Sequence, residues 1–313
     1  YGGDVVILTA GLSPAWQRIM VFDDFKIGEV NRAQNVVHCA SGKVLNVAVG
    51  LKTLEADVIC LSSIGGDSAA AIQHEFAEME ILTHWIETSA KTRTCITVLD
   101  QLHQKTTELV ENAESITPQE LDSWVTHFHQ LASQSSLIVI SGSLPAGAPA
   151  TLFSDLLKQH QQPSVLDIRR EELVSALLHH PLVIKPNREE VEQTVGRSLS
   201  NHDDLVAAAE ELRSAGAEWV VVTDGPNPVT IVGPEERCLI PVPTAKTVVN
   251  PIGCGDSLTA GIAAAMNEGR SILEAVKWGI ACSSQNLESL LPARLNRQQM
   301  IELASQLTVE RLV

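Results

Sequence analysis

The chain has 313 residues and a formal net charge of −16, from 22 Lys+Arg against 38 Asp+Glu. Apolar residues make up 44% and charged ones 19%, an ordinary globular composition with material for a sizeable core. So acidic a surface repels a polyanion and argues against a nucleic-acid partner, while a few placed Arg and Lys can still bind a small anion.

No apolar run reaches the roughly 20 residues that span a bilayer, so no membrane partner is expected. The start, Tyr1-Gly2-Gly3-Asp4, lacks Met and has no basic region before its short apolar run. It reads as a trimmed start and not as a signal peptide. Cysteines 39, 60, 95, 238, 254 and 282 show no C-x-x-C spacing. Reduced, mostly buried thiols in a cytoplasmic protein are expected, without disulfides or a zinc site.

In chain order, an apolar run predicts a strand over 4–10. Residues 21–40 alternate in the β manner, followed by a helix over 43–54, a strand over 57–62 and a helix over 68–79. Residues 92–110 alternate again. A helix over 118–133 opens on Thr117-Pro118-Gln119-Glu120, a capping box with Pro at its first position. Next come a strand over 137–141, a helix over 150–161, and strands over 164–168 and 182–185. Helices follow over 188–195 and 203–215, the second behind Asn201 with an acidic first turn, then a strand over 219–223. The chain ends helical, over 255–287 and 296–307. Strands alternating with helices predict a mostly parallel sheet covered on both faces. Residues 21–40 and 92–110, with no helix of their own, predict a small second sheet beside it. No repeat or linker is visible, so one domain over 1–313 is expected, with a lid at about 13–40 and 92–110.

The segment NPIGCGDSLTAG, residues 250–261, sets Gly253 and Gly255 just ahead of an acid and a helix of small residues. Glycines there let backbone N–H groups at a helix N-terminus converge on an anion. Asp256 in the first turn can take a proton from an attacking hydroxyl, an arrangement suited to phosphoryl transfer. From spacing alone the segment serves equally well as a helix cap. It is neither a Walker A loop nor G-x-G-x-x-G. His127 and His129 sit two apart on a helix and do not make an i, i+4 metal pair, and His179-His180-Pro181 reads as a turn.

GCGDSLTAG resembles the glycine-acid signature of the PfkB, or ribokinase-like, carbohydrate kinases. The resemblance extends over roughly residues 7–290, through GEVNRA (28–33), SGKVLNVA (41–48), TRT (92–94), TELVEN (107–112), SGSLPAGAP (141–149) and IKPNREE (184–190). It is strongest to the branch that holds 1-phosphofructokinase and tagatose-6-phosphate kinase. The resemblance implies a three-layer α/β fold with a β lid, and ATP and Mg²⁺ as cofactors. Asp256 is then the catalytic base, and the backbone of Gly253, Cys254 and Gly255 the anion hole. Lys185, Asn187, Glu190, Thr223 and Gly225 fall on the nucleotide side, with Asn187 and Glu190 ordering Mg²⁺ through water. An N-x-x-E at a helix start is, by itself, simply a cap. Arg32, Lys43 and Arg93 match positions around an acceptor phosphate, and Gln17, Gly42, Asn46 and Ser141 the sugar side. Planar guanidinium suits phosphate.

Two family motifs are altered. An acid that accepts sugar hydroxyls is Gln17 here, in Ser13-Pro14-Ala15-Trp16-Gln17. Losing a charged acceptor costs about 1.5–3 kcal/mol where nothing compensates. A loop glycine is Val44, in Ser41-Gly42-Lys43-Val44, and a β-branched residue resists φ > 0, so altered loop geometry is expected. Trp16 adds a ring beside the site or packs in the core. The expected activity is transfer of the ATP γ-phosphoryl group to a phosphorylated ketohexose of the tagatose 6-phosphate, fructose 6-phosphate or fructose 1-phosphate type, by a homodimer joined through its lids. The alternatives are a kinase for an unphosphorylated sugar or nucleoside, and a weakened sugar-phosphate or nucleotide sensor. Retention of Asp256 with both glycines favours catalysis.

Overall fold

The computed structural model describes residues 6–312, so Asp4 and Val5 of the first expected strand lie outside the described residues. Strand β1 (Ile7–Gly11) is buried throughout, as a strand covered on both faces must be. It is followed by β2 (Ala15–Phe22), β3 (Asn35–Ser41), α1 (Lys43–Thr53), β4 (Val58–Ile64), α2 (Ala69–Glu78) and β5 (Leu82–Glu87). Then come β6 (Arg93–Asp100), β7 (Lys105–Val110), α3 (Pro118–Ala132), β8 (Leu137–Ser141), α4 (Leu152–Leu157), β9 (Ser164–Asp167) and α5 (Arg170–Ala176). Next are β10 (Val183–Ile184), α6 (Arg188–Val195), α7 (His202–Ser214), β11 (Trp219–Asp224), β12 (Asn227–Val232) and β13 (Arg237–Ile240). Helices α8 (Cys254–Asn267), α9 (Ile272–Leu287) and α10 (Arg297–Gln306) precede a short edge strand, β14 (Glu310–Arg311).

Ten strands form the main sheet in the order β14-β13-β12-β11-β10-β9-β8-β1-β4-β5. All pairs from β11 to β5 are parallel. Strands β12, β13 and β14 extend the sheet antiparallel. Side-chain alternation along each strand divides the apolar load between two cores. Leu137 and Val139 of β8 face α1, α2, α8, α9 and α10, while Ile138 and Ile140 face α3 to α7. The result is a three-layer sandwich.

A second sheet, ordered β3-β2-β6-β7, stands beside it. Its central pair is parallel and its outer pairs antiparallel. Ile19, Val21, Cys39 and Leu99 of this sheet cluster against Leu290 and Leu291, which seats the lid on the loop after α9.

The expected β structure over 21–40 is corrected: the strands end at Phe22 and resume at Asn35. Between them Asn31 accepts from Lys26 N at 2.8 Å and donates to Lys26 O at 2.7 Å and Glu29 O at 3.0 Å. Such local bonds take the place of a ladder. The helix expected over 150–161 is only α4. Strands β5, β12, β13 and β14 and helix α5 carried no expectation. β5 lies on the sheet edge with Leu82, His84 and Glu87 exposed, and β12 and β13 join as hairpins rather than through helices.

Helix α8 crosses α9 at a glycine contact. A Cβ on Gly261 would lie 2.8 Å from Gly279 Cα, against backbone that cannot swing aside. Gly261→Val should therefore destabilise the fold by about 3 kcal/mol, read from the urea midpoint at unchanged slope.

Candidate active site

The parallel strands end in a cleft of about 480 Å³ between the main sheet and the lid. Open α/β sheets place their ligands at these carboxyl ends. Strand β9 ends there on Asp167, Lys185 follows β10, and Thr223 lies near the end of β11. The N-termini of α1 and α8 face the same space.

Gly253, at φ +88°, caps α8, and a Cβ there would stand 2.6 Å from Pro292 Cβ. Buried Asn286 on α9 holds the loop from behind. Its Oδ1 accepts from Ser257 Oγ at 3.1 Å and Ala293 N at 2.7 Å. Its Nδ2 donates to Ile252 O at 2.9 Å and lies 3.3 Å from Cys254 Sγ. The loop is thus shaped before any ligand arrives, with Gly253, Cys254 and Gly255 lining the cleft and the Cys254 N–H donating to Pro251 O at 3.3 Å. Burial pushes the Cys254 thiol up to about 11, so it remains protonated at neutral pH.

Two carboxylates and two lysines meet in front of this loop. Asp167, 1% exposed, binds Lys43 Nζ at 2.7 Å and Lys185 Nζ at 3.4 Å, and Thr259 Oγ1 donates to it at 3.3 Å. Burial opposes its ionisation, but the two ammonium groups prevail and hold it below the ordinary carboxylate range. Asp256, 7% exposed, accepts from Asn46 Nδ2 at 2.7 Å. Burial and the neighbouring Asp167 charge push it up to about 6, partly offset by Lys43, Asn46 and Lys185. Environments that drive two acids apart mark the one that carries protons. Burial also works against the Lys43 ammonium, but Asp167, Glu190 and Asp256 outweigh it and raise its pKa.

On the lid side, Gln17, Gly42, Asn46 and Arg93 line the cleft. Gly42 takes φ +90° as it enters α1, where a Cβ would meet Ser13 O at 2.9 Å. Val44 carries no positive φ that a β-branched residue would resist: it is buried in the first turn of α1, and the positive φ falls on Gly42. Trp16 stacks on His38 and does not line the cleft. Arg32 is likewise not brought to the cleft, because the loop before β3 carries it into solvent. Ser141 is fully buried at the end of β8 with no partner for its hydroxyl among the described residues, and the cleft is lined instead by Gly142 and Ser143. Lys43 does reach the cleft, but its ammonium is held by Asp167, with Glu190 at 3.6 Å, on the side away from the lid.

Asn187 and Glu190 form a complete capping box at the start of α6, with bonds of 2.8 and 2.9 Å. Glu190 Oε2 serves the box, while Oε1 faces Lys43. Thr223 bridges to Asn187, and Gly225 forms the turn between β11 and β12 at φ +56°. Beyond them the cleft continues into an apolar slot of about 590 Å³, walled by Val229, Val242, Val248, Leu258, Ile280 and Leu287. Neither these residues nor Asp167 and Asn286 were singled out in the sequence. Asp167 offered one signal, an acid closing an apolar strand run, and the others come from separated segments.

His127 and His129 do not pair. His127 Nδ1 lies 2.8 Å from Ser123 O and His129 Nδ1 2.9 Å from His160 Nε2. The six cysteines are free, and five of them are buried. Among the described residues, no helix is long and apolar enough to cross a membrane.

A ribokinase-like sandwich with a lid, closing on a glycine loop, a buried acid and paired lysines, defines the class: a sugar kinase, which phosphorylates an alcohol. The family model described as pfkB family carbohydrate kinase matches residues 16–296, and the chain belongs to that family. A Staphylococcus aureus protein provisionally assigned as a phosphofructokinase is 27% identical, with 98% of this chain and 99% of that one covered and a TM-score of 0.78. Phosphofructokinase-2 from Escherichia coli, solved with substrates and products, is 23% identical over 96% and 98%, with a TM-score of 0.87. A Thermotoga maritima protein provisionally assigned as 1-phosphofructokinase is 21% identical over 98% and 100%, with a TM-score of 0.90.

The raised pKa of Asp256 has a stability consequence. Between its ordinary value of 3.8 and about 6 the native state binds a proton that the unfolded chain has released. The contribution of Asp256 to stability therefore falls as pH rises through that window. Asp256→Asn should melt higher than the wild type above pH 6, with the gap closing towards pH 4 in melts across that range.

Proposed function

We propose that this kinase transfers the γ-phosphoryl group of ATP to a hydroxyl of a phosphorylated ketohexose, of the fructose 6-phosphate, fructose 1-phosphate or tagatose 6-phosphate type. The observation that carries this reading is the order of groups along one cleft. An apolar slot at one end leads past the glycine loop and Asp256 to Arg93 at the lid. The E. coli neighbour, solved with fructose 6-phosphate, lends support from outside the chain.

Asp256, oriented by Asn46, accepts the proton of the attacking hydroxyl. A pKa of about 6 leaves it ionised at neutral pH while retaining basicity. The N–H groups of Gly253, Cys254 and Gly255 stabilise the charge on the transferring group, that of Cys254 shared with Pro251 O. Lys43 and Lys185, anchored on Asp167, bring positive charge to the same point. The apolar slot takes the adenine ring, with Thr223 and Gly225 at its mouth. Arg93 holds the acceptor phosphate, while Gln17, Gly42 and Asn46 meet the sugar.

Magnesium keeps several waters and needs only one or two carboxylates from a protein. The oxygen donors fit that role: Glu190 Oε1 is free of the capping box and faces the cleft, where with Asn187 it would hold the ion through water. When bound, the ion neutralises charge on the nucleotide phosphates. The whole chain is read as one kinase domain, cytoplasmic, with its lid at about 13–40 and 92–110. A homodimer through the lids covers Ile27 and Val30, which stand 94% and 83% exposed.

The test is ADP release from Mg-ATP with fructose 6-phosphate, fructose 1-phosphate, tagatose 6-phosphate, fructose, ribose and adenosine as acceptors. Turnover is expected with a phosphorylated ketose, and Asp256→Asn should lower kcat by about 10³-fold. In the wild type kcat/KM should fall about tenfold per pH unit below about pH 6. Turnover of unphosphorylated acceptors alone would remove the phosphate role of Arg93.

A further inference from the structure

The lid contributes more to the cleft than the arginine named above. Strands β2, β6 and β7 lie side by side, and their cleft-facing residues include Gln17, Arg93 and Glu108. Thr97 of β6 stands directly opposite Glu108 of β7, so the two share a face of the sheet. Thr97 is fully buried, and its Oγ1 receives Gln17 Nε2 at 2.6 Å. That bond fixes the Gln17 amide and spends a donor on the lid itself. No protein donor reaches the Gln17 carbonyl oxygen among the described residues. Gln17 is therefore positioned as a neutral acceptor.

Glu108 is the charged acceptor of the same face. Among the described residues its carboxylate has neither a hydrogen bond nor a salt bridge, although Arg93 lies near enough to act on it electrostatically. Glu108 is exposed on β7, and partial desolvation where it borders the cleft raises its pKa against that attraction, so its carboxylate stands open to a partner entering the cleft. Among the described residues Arg93 is held only by the carbonyls of Ser13, Pro14 and Glu111, each at 3.4 Å, and has no carboxylate salt bridge.

From this arrangement we infer that Glu108 is the specificity-determining residue of the acceptor site, receiving a sugar hydroxyl while Gln17 receives a second. The inference rests on the kinase reading above and narrows its substrate. Two acceptors beside one guanidinium suit a polyhydroxylated sugar with a single phosphate: Arg93 takes the phosphate, and the Glu108 carboxylate repels a second one at that end. Glu108 is exposed on edge strand β7, so a substitution can be made there without disturbing either core.

The experiment is titration calorimetry in an Asp256→Asn background, so that binding is read without turnover. The probes are fructose 6-phosphate, fructose 1-phosphate and tagatose 6-phosphate, with ATP present. Glu108→Gln should weaken the best-bound sugar phosphate about 10- to 100-fold, the scale of a lost charged hydrogen bond, and leave ATP affinity unchanged. Glu108→Asp, which keeps the charge on a shorter arm, should recover part of the loss. Equal or tighter sugar-phosphate binding by Glu108→Gln would overturn the inference, as would failure of all three probes to bind either form. Wild-type ADP release judges the kinase reading separately. Binding that depends on Glu108 without turnover would defeat that reading alone, and turnover indifferent to Glu108 would defeat the inference alone.

Discussion

Two carboxylates cannot both ionise freely when buried side by side, and the centre of this protein is organised around that constraint. Asp167 receives both lysines and is held ionised, while Asp256 receives an amide from Asn46 and a neighbouring negative charge. Exchanging these environments would remove the base. Lys43 and Lys185 gain from the arrangement too, because Asp167 fixes their ammonium groups in a place where isolated cations would be expensive to bury. Each of the four charged groups reaches the cleft from a different element, so the main sheet must be assembled before the charges can balance.

The scaffold behind them has the same logic. The glycine loop is useful only if its N–H groups are aimed before a ligand arrives, and Asn286 supplies the rigidity by bonding on both sides of it. Pro292 closes the space in which any side chain at Gly253 would sit. The close approach of α8 and α9 at Gly261 and Gly279 sets the depth of the whole helix. The lid meets this assembly through Leu290 and Leu291, in the segment that also carries Pro292 and Ala293, so lid seat and anion loop are neighbours in one stretch of chain.

Of the acceptor groups legible in the sequence, Gln17, Gly42, Asn46 and Arg93 line the cleft, whereas Arg32 and Ser141 do not. The failures have separate physical causes. Arg32 sits in a loop whose course is set by the side-chain bonds of Asn31, and alternation alone suggested a strand there. Ser141 ends a strand whose register turns its hydroxyl inward, and one residue further on the chain faces the cleft. Val44 was expected to alter a loop, but the positive φ is confined to Gly42 and the valine lies in a helix, where it packs.

The sequence by itself determined the alternating α/β order, the capping boxes at Thr117 and Asn187, the β character of the lid and the glycine-acid motif before α8. All are local: they depend on periodicity, backbone freedom or hydrogen bonds within a few residues. Only the tertiary structure decided that Asp167 takes both lysines, that Asn286 braces the loop, that apolar residues of β12, α8, α9 and the segment between β13 and α8 make one slot, and that Glu108 lies near Arg93. Those pairings join separate elements, and Lys43 lies 124 positions from Asp167. Their energies come from burial and from charge at short range, and neither exists until the sheet and the lid have closed around them.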